Sequence, residues 1–339
     1  MIAILGGGVA GASLAWALTL RGRRDVVVFD PGAQGAGSTG AALGGFRTQQ
    51  GSPLNIALSL VARPFFESRA DRIGFEPVGY LYLAETRAAT VALVERAELQ
   101  RGEGLPIEHP DPRPLAPFLN VDDVLGTNFC ELDGTYVPLQ LLGCLIEEAS
   151  ERGAEFRFGC AARPADLEAD AVVVCAGAGS RGAGEQVGVS LAVDPVERGI
   201  YQVGPFDWLP PQSPVVLDVG SGFHLRQRDR RLLVIGPAPP NDWEPHARWL
   251  AHRVPAAAGT LPEEHWTGNY EVTFDHHPLA GRTERDGVWA MCGFSGHGVM
   301  HWPAVAGSLA AMILGETPPL DIGALDPLRT EPLHDDTQL

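Results

Sequence analysis

The chain opens Ile2-Ala3-Ile4-Leu5-Gly6-Gly7-Gly8-Val9-Ala10-Gly11-Ala12-Ser13, and residues 26–30 read Val-Val-Val-Phe-Asp. Residues 2–5 are an apolar run of strand length. The Ala/Leu-rich segment that continues to about Arg21 is helical in composition, and 26–30 is a second buried strand. Strand, glycine turn, helix and strand within 30 residues make a βαβ unit. Its glycines stand as Gly6-x-Gly8-x-x-Gly11. Gly6 permits the tight turn, Gly8 lets a pyrophosphate approach the backbone, and Gly11 lets helix pack on strand. The helix N-terminus then offers its free N–H groups to phosphate. Asp30 ends the second strand, 24 positions after Gly6. A carboxylate there holds ribose hydroxyls and repels a 2′-phosphate. The pattern predicts a dinucleotide site, and spacing alone leaves NAD and FAD both open.

Composition narrows the chemistry. The 339 residues carry a formal charge of −17, and all 25 basic residues are arginine. Without lysine there is no Schiff-base nucleophile and no P-loop lysine, which argues against pyridoxal enzymes, Schiff-base aldolases and Walker-type NTPases. The acidity argues against nucleic acid and anionic membrane surfaces as partners. Cys130, Cys144, Cys160, Cys175 and Cys292 are scattered with no CxxC, as expected of reduced cytoplasmic thiols. The apolar N-terminus lacks a basic leader and reads as a strand, not a signal peptide. No apolar run is long enough for a membrane span.

Working outward, residues 35–51 are too rich in Gly and Ala for core and read as a loop approaching something closely. Helices are expected over 54–70, over 86–102 with Val91, Val94 and Ala97 on one face, and over 138–152. In the last, Leu139, Leu142, Leu145, Ile146 and Ala149 share a face, and Gly153 follows as C′ residue. Strands are expected at 78–84, 155–159 and 171–175. An antiparallel group follows at 196–204, 215–218, 222–227 and 231–236, with a tight turn at 228–231, and a further strand at 288–292. Pro303 marks the start of a helix ending before Gly315. The βα signals fall at the start, middle and end, with the antiparallel signals between. The fold class is therefore α/β (α+β), with two interleaved domains. Residues 1–50, 132–195 and 275–325 form a Rossmann-like domain. Residues 51–131 and 196–274 form a substrate domain on a mixed or antiparallel sheet, and 326–339 is a tail.

Over nearly its whole length the chain resembles the D-amino-acid oxidase superfamily of FAD-dependent oxidoreductases, in the branch of sarcosine oxidase, glycine oxidase and dimethylglycine dehydrogenase. The resemblance rests on GGGVAGAS at 6–13, GSTGAALGGFRTQ at 37–49, GTYVPLQLLGCLIEEASERGA at 134–154 and DAVVVCAGAGS at 170–180. It continues in NYEVTFDHHPLAG at 269–281 and CGFSGHGVMHWPAVAG at 292–307. The GFSGHG segment before an alanine-rich helix is its most specific part. It implies FAD held by Gly6, Gly8, Val9, Ala10, Gly11, Asp30, Pro31, Ser38, Thr39, Ala42, Gly44, Gly45, Ala161, Ala176 and Gly177. From the C-terminal segment it adds Gly293, Gly296, His297, Gly298, Val299 and Met300. The helix after Gly298 would point its positive end at the pyrimidine side of the flavin, where reduced flavin carries negative charge. The positions used by relatives for covalent attachment match Gly268 and Ala41, which cannot attach flavin, so non-covalent FAD is expected.

The family oxidises a carbon–nitrogen bond: hydride passes to the flavin and the imine hydrolyses. Its substrates usually carry a carboxylate. Arg47 is the first candidate to hold it and Arg226 the second, with His297 and Met300 placed at the reacting centre. His224, Tyr201, Tyr270 and His301 are further candidates for the pocket wall. A lysine that sarcosine oxidase uses toward dioxygen falls near Val234, a second lysine matches Met300, and an arginine of glycine oxidase falls near Tyr270. The binding site is therefore expected to differ from that of either relative, and to suit a substrate that is larger, more apolar or secondary in its amine. No metal is expected, and His276 and His277 read as a turn. Two alternatives remain open: an FAD-binding subunit of a larger amine dehydrogenase, and a flavin-binding protein without amine oxidation. The partners expected are a small amine or amino acid and either dioxygen or a protein or quinone electron acceptor, in the cytoplasm, with no nucleic acid.

Overall fold

In the computed structural model, residues 1–162 and 168–333 are described. The six-stranded first sheet runs β14 (Leu279–Arg282), β15 (Val288–Cys292), β8 (Ala171–Val174), β1 (Ile2–Leu5), β2 (Val26–Asp30), β7 (Glu155–Phe158). All its pairings are parallel except β14–β15, and Ile2 lies opposite both Val26 and Ala171. Strand alternation sends Ile2 and Ile4 to one face and Ala3 and Leu5 to the other, and both faces are covered. A parallel sheet requires this, which is why its strands read as unbroken apolar runs.

The seven-stranded second sheet runs β13 (Glu264–Val272), β9 (Asp194–Val203), β12 (Arg231–Ile235), β11 (His224–Arg228), β10 (Val215–Asp218), β4 (Tyr80–Ala84), β5 (Gly126–Cys130). It is antiparallel except where β10 pairs with β4. Leu225, Leu232 and Val234 pack with Trp249 and Leu250 on one face. Ile200, Leu233 and Ile235 occupy the other. A two-stranded ribbon, β3 (Gly45–Phe46) with β6 (Gly134–Thr135), lies between.

The helices are α1 (Val9–Leu20), α2 (Ser38–Ala41), α3 (Pro53–Ser68), α4 (Ala70–Ile73), α5 (Arg87–Gly102), α6 (Pro112–Leu115), α7 (Pro138–Glu151), α8 (Ser180–Gln186), α9 (Trp243–Arg253) and α10 (Gly298–Leu314). The largest core cluster joins α1, α3, α7 and α10 on the Ile2 side of the first sheet. There Trp302 meets Phe65 and Trp16 edge-on at 4.7 and 5.9 Å.

The structure differs from the sequence expectation in three places. Helix α10 begins at Gly298, five residues before Pro303, which lies inside it. Proline favours a first turn, so Pro303 read as the start. The preceding turn forms nevertheless because Met300, His301 and Trp302 are buried against the core. In α5 the buried face is Leu93, Ala97 and Gln100, while Val91 and Val94 are 56% and 44% exposed. In α7, Leu139 is half exposed, yet its side chain lies against the backbone of Gly35 and Gly40 and supports that loop. The tail expected from 326 is described only to 333, and residues 334–339 lie outside the described chain.

Candidate active site

A cavity of about 890 Å3 opens between the C-terminal ends of the first sheet and the inner face of the second. Its volume is near the top of the range for small-molecule sites. The first half of its wall is the β1–α1 turn. Gly6 has φ +114°, and a Cβ there would strike the Cys175 carbonyl. A Cβ on Gly11 would run into the Gly6 carbonyl oxygen, so Gly11 serves the close packing of helix on turn and stands outside the wall. Asp30 ends β2 with both carboxylate oxygens engaged: Gly7 N–H donates to one and Gly32 N–H to the other, each at 2.7 Å. Thr39 Oγ1 accepts the Val9 N–H at 3.0 Å and ties α2 to the start of α1. Gly8, the N-cap of α1, provides no side-chain cap.

Most residues expected at a dinucleotide line this cavity. They are Gly6, Gly8, Val9, Ala10, Asp30, Pro31, Ser38, Thr39, Ala42, Gly44 and Gly45 from the first 50 residues. Ala161, Ala176, Gly177, Gly296, Gly298, Val299 and Met300 complete the set. Gly293 stands behind the wall, where its N–H donates to Glu271 and a Cβ would strike Thr273.

At the other end the inner face of the second sheet contributes Tyr80, Ile200, Leu217, His224, Ile235 and Tyr270, with Arg47 from the segment after β3. Arg47 donates to Tyr82 Oη at 2.7 Å and to His297 Nε2 at 2.9 Å. A guanidinium only donates, so His297 Nε2 is the acceptor and the ring proton sits on Nδ1. Burial and the charge of Arg47 hold His297 well below its ordinary pKa and therefore neutral. His297 stands behind Arg47, outside the wall. His301, pushed down to about 3 by burial and Arg47, is fully buried against Ser59 at 3.0 Å. No carboxylate forms an ion pair with Arg47 among the described residues. The charge of Asp133 acts on Arg47, but that carboxylate is engaged by Thr48 and Gln49, and a guanidinium half-buried in a cavity wall with no ion-pair partner favours an anionic ligand.

Arg226 is placed differently. Its Nη1 donates to the carbonyls of Leu43, Gly44 (3.0 Å) and Tyr136 (2.9 Å), so it ties the end of the Gly-rich loop to the segment just before α7. It is outside the wall, as is Tyr201, whose hydroxyl donates to the Pro240 carbonyl. Val234 points into the apolar core, while its neighbour Ile235 lines the cavity. With a period of two along the strand, the position facing the cavity is one residue away from the one inferred. Ala41 and Gly268 both line the cavity and lie against each other: a Cβ on Gly268 would sit 2.9 Å from that of Ala41.

Sequence reasoning missed Tyr80, Tyr82 and Glu271. In Tyr80-Leu81-Tyr82-Leu83 the alternation itself places both phenols on one face. Glu271 carried no signal, because a lone acid beside Tyr270 on a strand looks like surface. Burial pushes its carboxyl up to about 7. Glu85, Asp123 and His252 gather on the far side of the second sheet, but around the guanidinium of Arg253, which pairs with both carboxylates and with Asp218.

The wall fits FAD. Glycines leave room for a backbone-close ligand, two helix N-termini without side-chain caps open on it, and an acid stands at the end of β2. Residues 1–312 match the family described as FAD-dependent oxidoreductase (DAO), and the chain belongs to that family. It is 27% identical to FAD-dependent oxidoreductase domain-containing protein 1 of Xenopus laevis, over 92% of this chain and 79% of that protein. It is 26% identical to glycine oxidase of Geobacillus kaustophilus over 89% of each chain. Among solved structures, L-proline dehydrogenase of P. horikoshii shares the fold at a TM-score of 0.87 and 22% identity, covering 96% of both chains. Among the described residues, no helix is long and apolar enough to cross a membrane.

Proposed function

We propose that this protein oxidises the carbon–nitrogen bond of a small amino acid or N-substituted amino acid, with Arg47 holding the substrate carboxylate. The observation that carries this reading is the guanidinium in the cavity wall, fixed by Tyr82 and His297 and with no ion-pair partner among the described residues. Bound FAD supplies the two-electron acceptor for the hydride. Gly6 to Ala10, Asp30, the loop from Pro31 to Gly45, Ala161, Ala176, Gly177 and the start of α10 would hold it.

The chain's own residues bind, orient and dry the site. Ile200, Leu217 and Ile235 exclude water, so the amine is surrendered as the neutral base. His224 is held down to about 4 by burial with Arg47 adding to the effect, and therefore stays neutral beside an amine. No acid–base dyad is needed for hydride departure; position supplies the rate. The chain has no lysine, and Ile235 and Met300 line the cavity, so no lysine assists reoxidation. Ala41 and Gly268 support a non-covalent cofactor. The five unpaired cysteines support a reducing compartment such as the cytoplasm.

The test is anaerobic bleaching of the flavin with a panel of amino acids and N-methyl amino acids. Bleaching by at least one supports the reading, and failure with all of them ends it. The speed of reoxidation in air then separates dioxygen from a protein or quinone as electron acceptor.

A further inference from the structure

Glu271 is the one carboxyl group of the cavity wall that belongs to neither the Asp30 turn nor an ion pair among the described residues. It sits near the end of β13, where three elements converge. Its Oε2 accepts the Gly293 N–H at 3.0 Å, and its carbonyl accepts the Ser295 N–H at 2.9 Å. It thereby organises the turn 293–296, in which Gly293, Ser295 and Gly296 all have positive φ, immediately before α10. A Cβ on Gly298 would lie 3.7 Å from Oε1, and one on Gly177 would lie 3.9 Å from Oε2. The carboxyl therefore stands between the start of α10 and the turn after β8.

The groups facing it are few. Cys175 just after β8 and Cys292 at the end of β15 are buried thiols, both held protonated by burial. On its own strand, Tyr270 packs over Gly296, with Arg198 of β9 over its ring at 5.8 Å. His297 and His301 at the start of α10 are neutral. The nearest positive end is that of the α10 dipole, which favours negative charge. Burial opposes ionisation and leaves the carboxyl titrating at about 7. A group so placed is sensitive to any charge added to the cleft.

We propose that Glu271 is a redox-linked protonation site, ionised when the cofactor is oxidised and protonated when hydride transfer adds negative charge to the cleft. The balance is simple. Hydride brings two electrons and one hydrogen nucleus from the substrate carbon, and the cleft gains one negative charge. One proton from water then converts the Glu271 carboxylate to the acid, so both electrons stay on the cofactor and the added charge is cancelled. The proposal rests on the cofactor placement given above, with the ring's electron-rich edge at α10.

The test is a dye-mediated potentiometric titration of the holoenzyme from about pH 6 to about pH 9, with a chemical reductant and no amine. It therefore reads Glu271 even if every amine fails to bleach the flavin. For a two-electron couple, each proton taken up per electron pair shifts the midpoint potential by about 30 mV for each tenfold change in proton concentration. Wild-type protein is expected to follow one such slope below about pH 7 and twice that slope above it. Glu271→Gln is expected to keep the single slope throughout, and Glu271→Asp to keep the break. A wild-type profile without a break overturns the proposal, even if the Gln variant fails to retain FAD. A break that persists unchanged in Glu271→Gln overturns it too.

Discussion

His297 Nε2 lies 2.9 Å from an Arg47 guanidinium nitrogen, and burial beside that same guanidinium keeps the imidazole neutral. The histidine acts as an acceptor that aims the arginine into the cavity, and the Tyr82 hydroxyl fixes the guanidinium from a second side. A charged hydrogen bond to a substrate carboxylate contributes about 1.5–3 kcal/mol. Arg47→Ala should therefore raise the amino-acid concentration for half-maximal bleaching by roughly 10- to 150-fold. An unchanged value removes Arg47 from carboxylate binding.

Replacing His297 separates aiming from contact. His297→Leu leaves one Arg47 donor without its partner, and half-saturation should rise by roughly 5- to 30-fold with a much smaller change in the maximal bleaching rate. His297→Gln offers a carbonyl acceptor and should recover part of the loss. Equal damage in both variants, falling on the maximal rate, would place His297 at the reacting atoms instead.

Arg226 should behave as a structural residue. Removing it strands three carbonyls, those of Leu43, Gly44 and Tyr136, two of them at the end of the loop that lines the cavity. Arg226→Ala should lower stability in urea by about 3 kcal/mol and weaken FAD retention. The preference for a carboxylate over its amide should survive. Loss of that preference with stability intact would return Arg226 to the substrate.

Ala41 and Gly268 offer no nucleophile where they meet at the cavity wall. Acid precipitation should leave a colourless pellet and release all the flavin to the supernatant. A yellow pellet would mean covalent attachment through another residue.

The 275–333 contact sets a pH limit. Burial alone would raise the Asp275 carboxyl. Bidentate donation by Arg329, at 2.7 and 2.9 Å, and backbone N–H groups of Leu333 and His277 outweigh it and hold the carboxyl down to about 2. A depressed carboxyl contributes stability above its unfolded pKa of about 4 and loses it as pH falls through the folded value. Urea titrations between about pH 4 and pH 2 should show about 2 kcal/mol lost from this group. Both side chains are almost fully buried, so Arg329→Ala at neutral pH should cost about 3–5 kcal/mol. A variant as stable as wild type would show that the pair contributes nothing.

Much of the fold was legible because strands buried on both faces read as unbroken apolar runs. Residues 2–5 and 171–174 of the first sheet do so, and so do residues 232–235 of the second. Reading failed where tertiary packing overrode local preference. The turn before Pro303 is helical because Trp302 and His301 are buried, and nothing local announces that. It failed again where a period of two is read one residue out of step, as at Val234 and Ile235. Of the site, the glycine turn and Asp30 were visible because their chemistry depends on local spacing, whereas Arg47 was visible through the family resemblance. Glu271 and Tyr82 were not, since their surroundings come from segments up to about a hundred residues or more away. Arg226 was visible as an arginine, but its three carbonyl partners belong to the fold.

The most direct test of the central claim compares one bleaching amino acid with its own carboxamide, on wild-type protein and on Arg47→Ala, under anaerobic conditions. Wild-type protein should bleach at a roughly 10- to 150-fold lower concentration of the acid than of the amide, and Arg47→Ala should no longer distinguish the two. Equal half-saturation by acid and amide on wild-type protein, or a preference that survives loss of Arg47, would contradict the account.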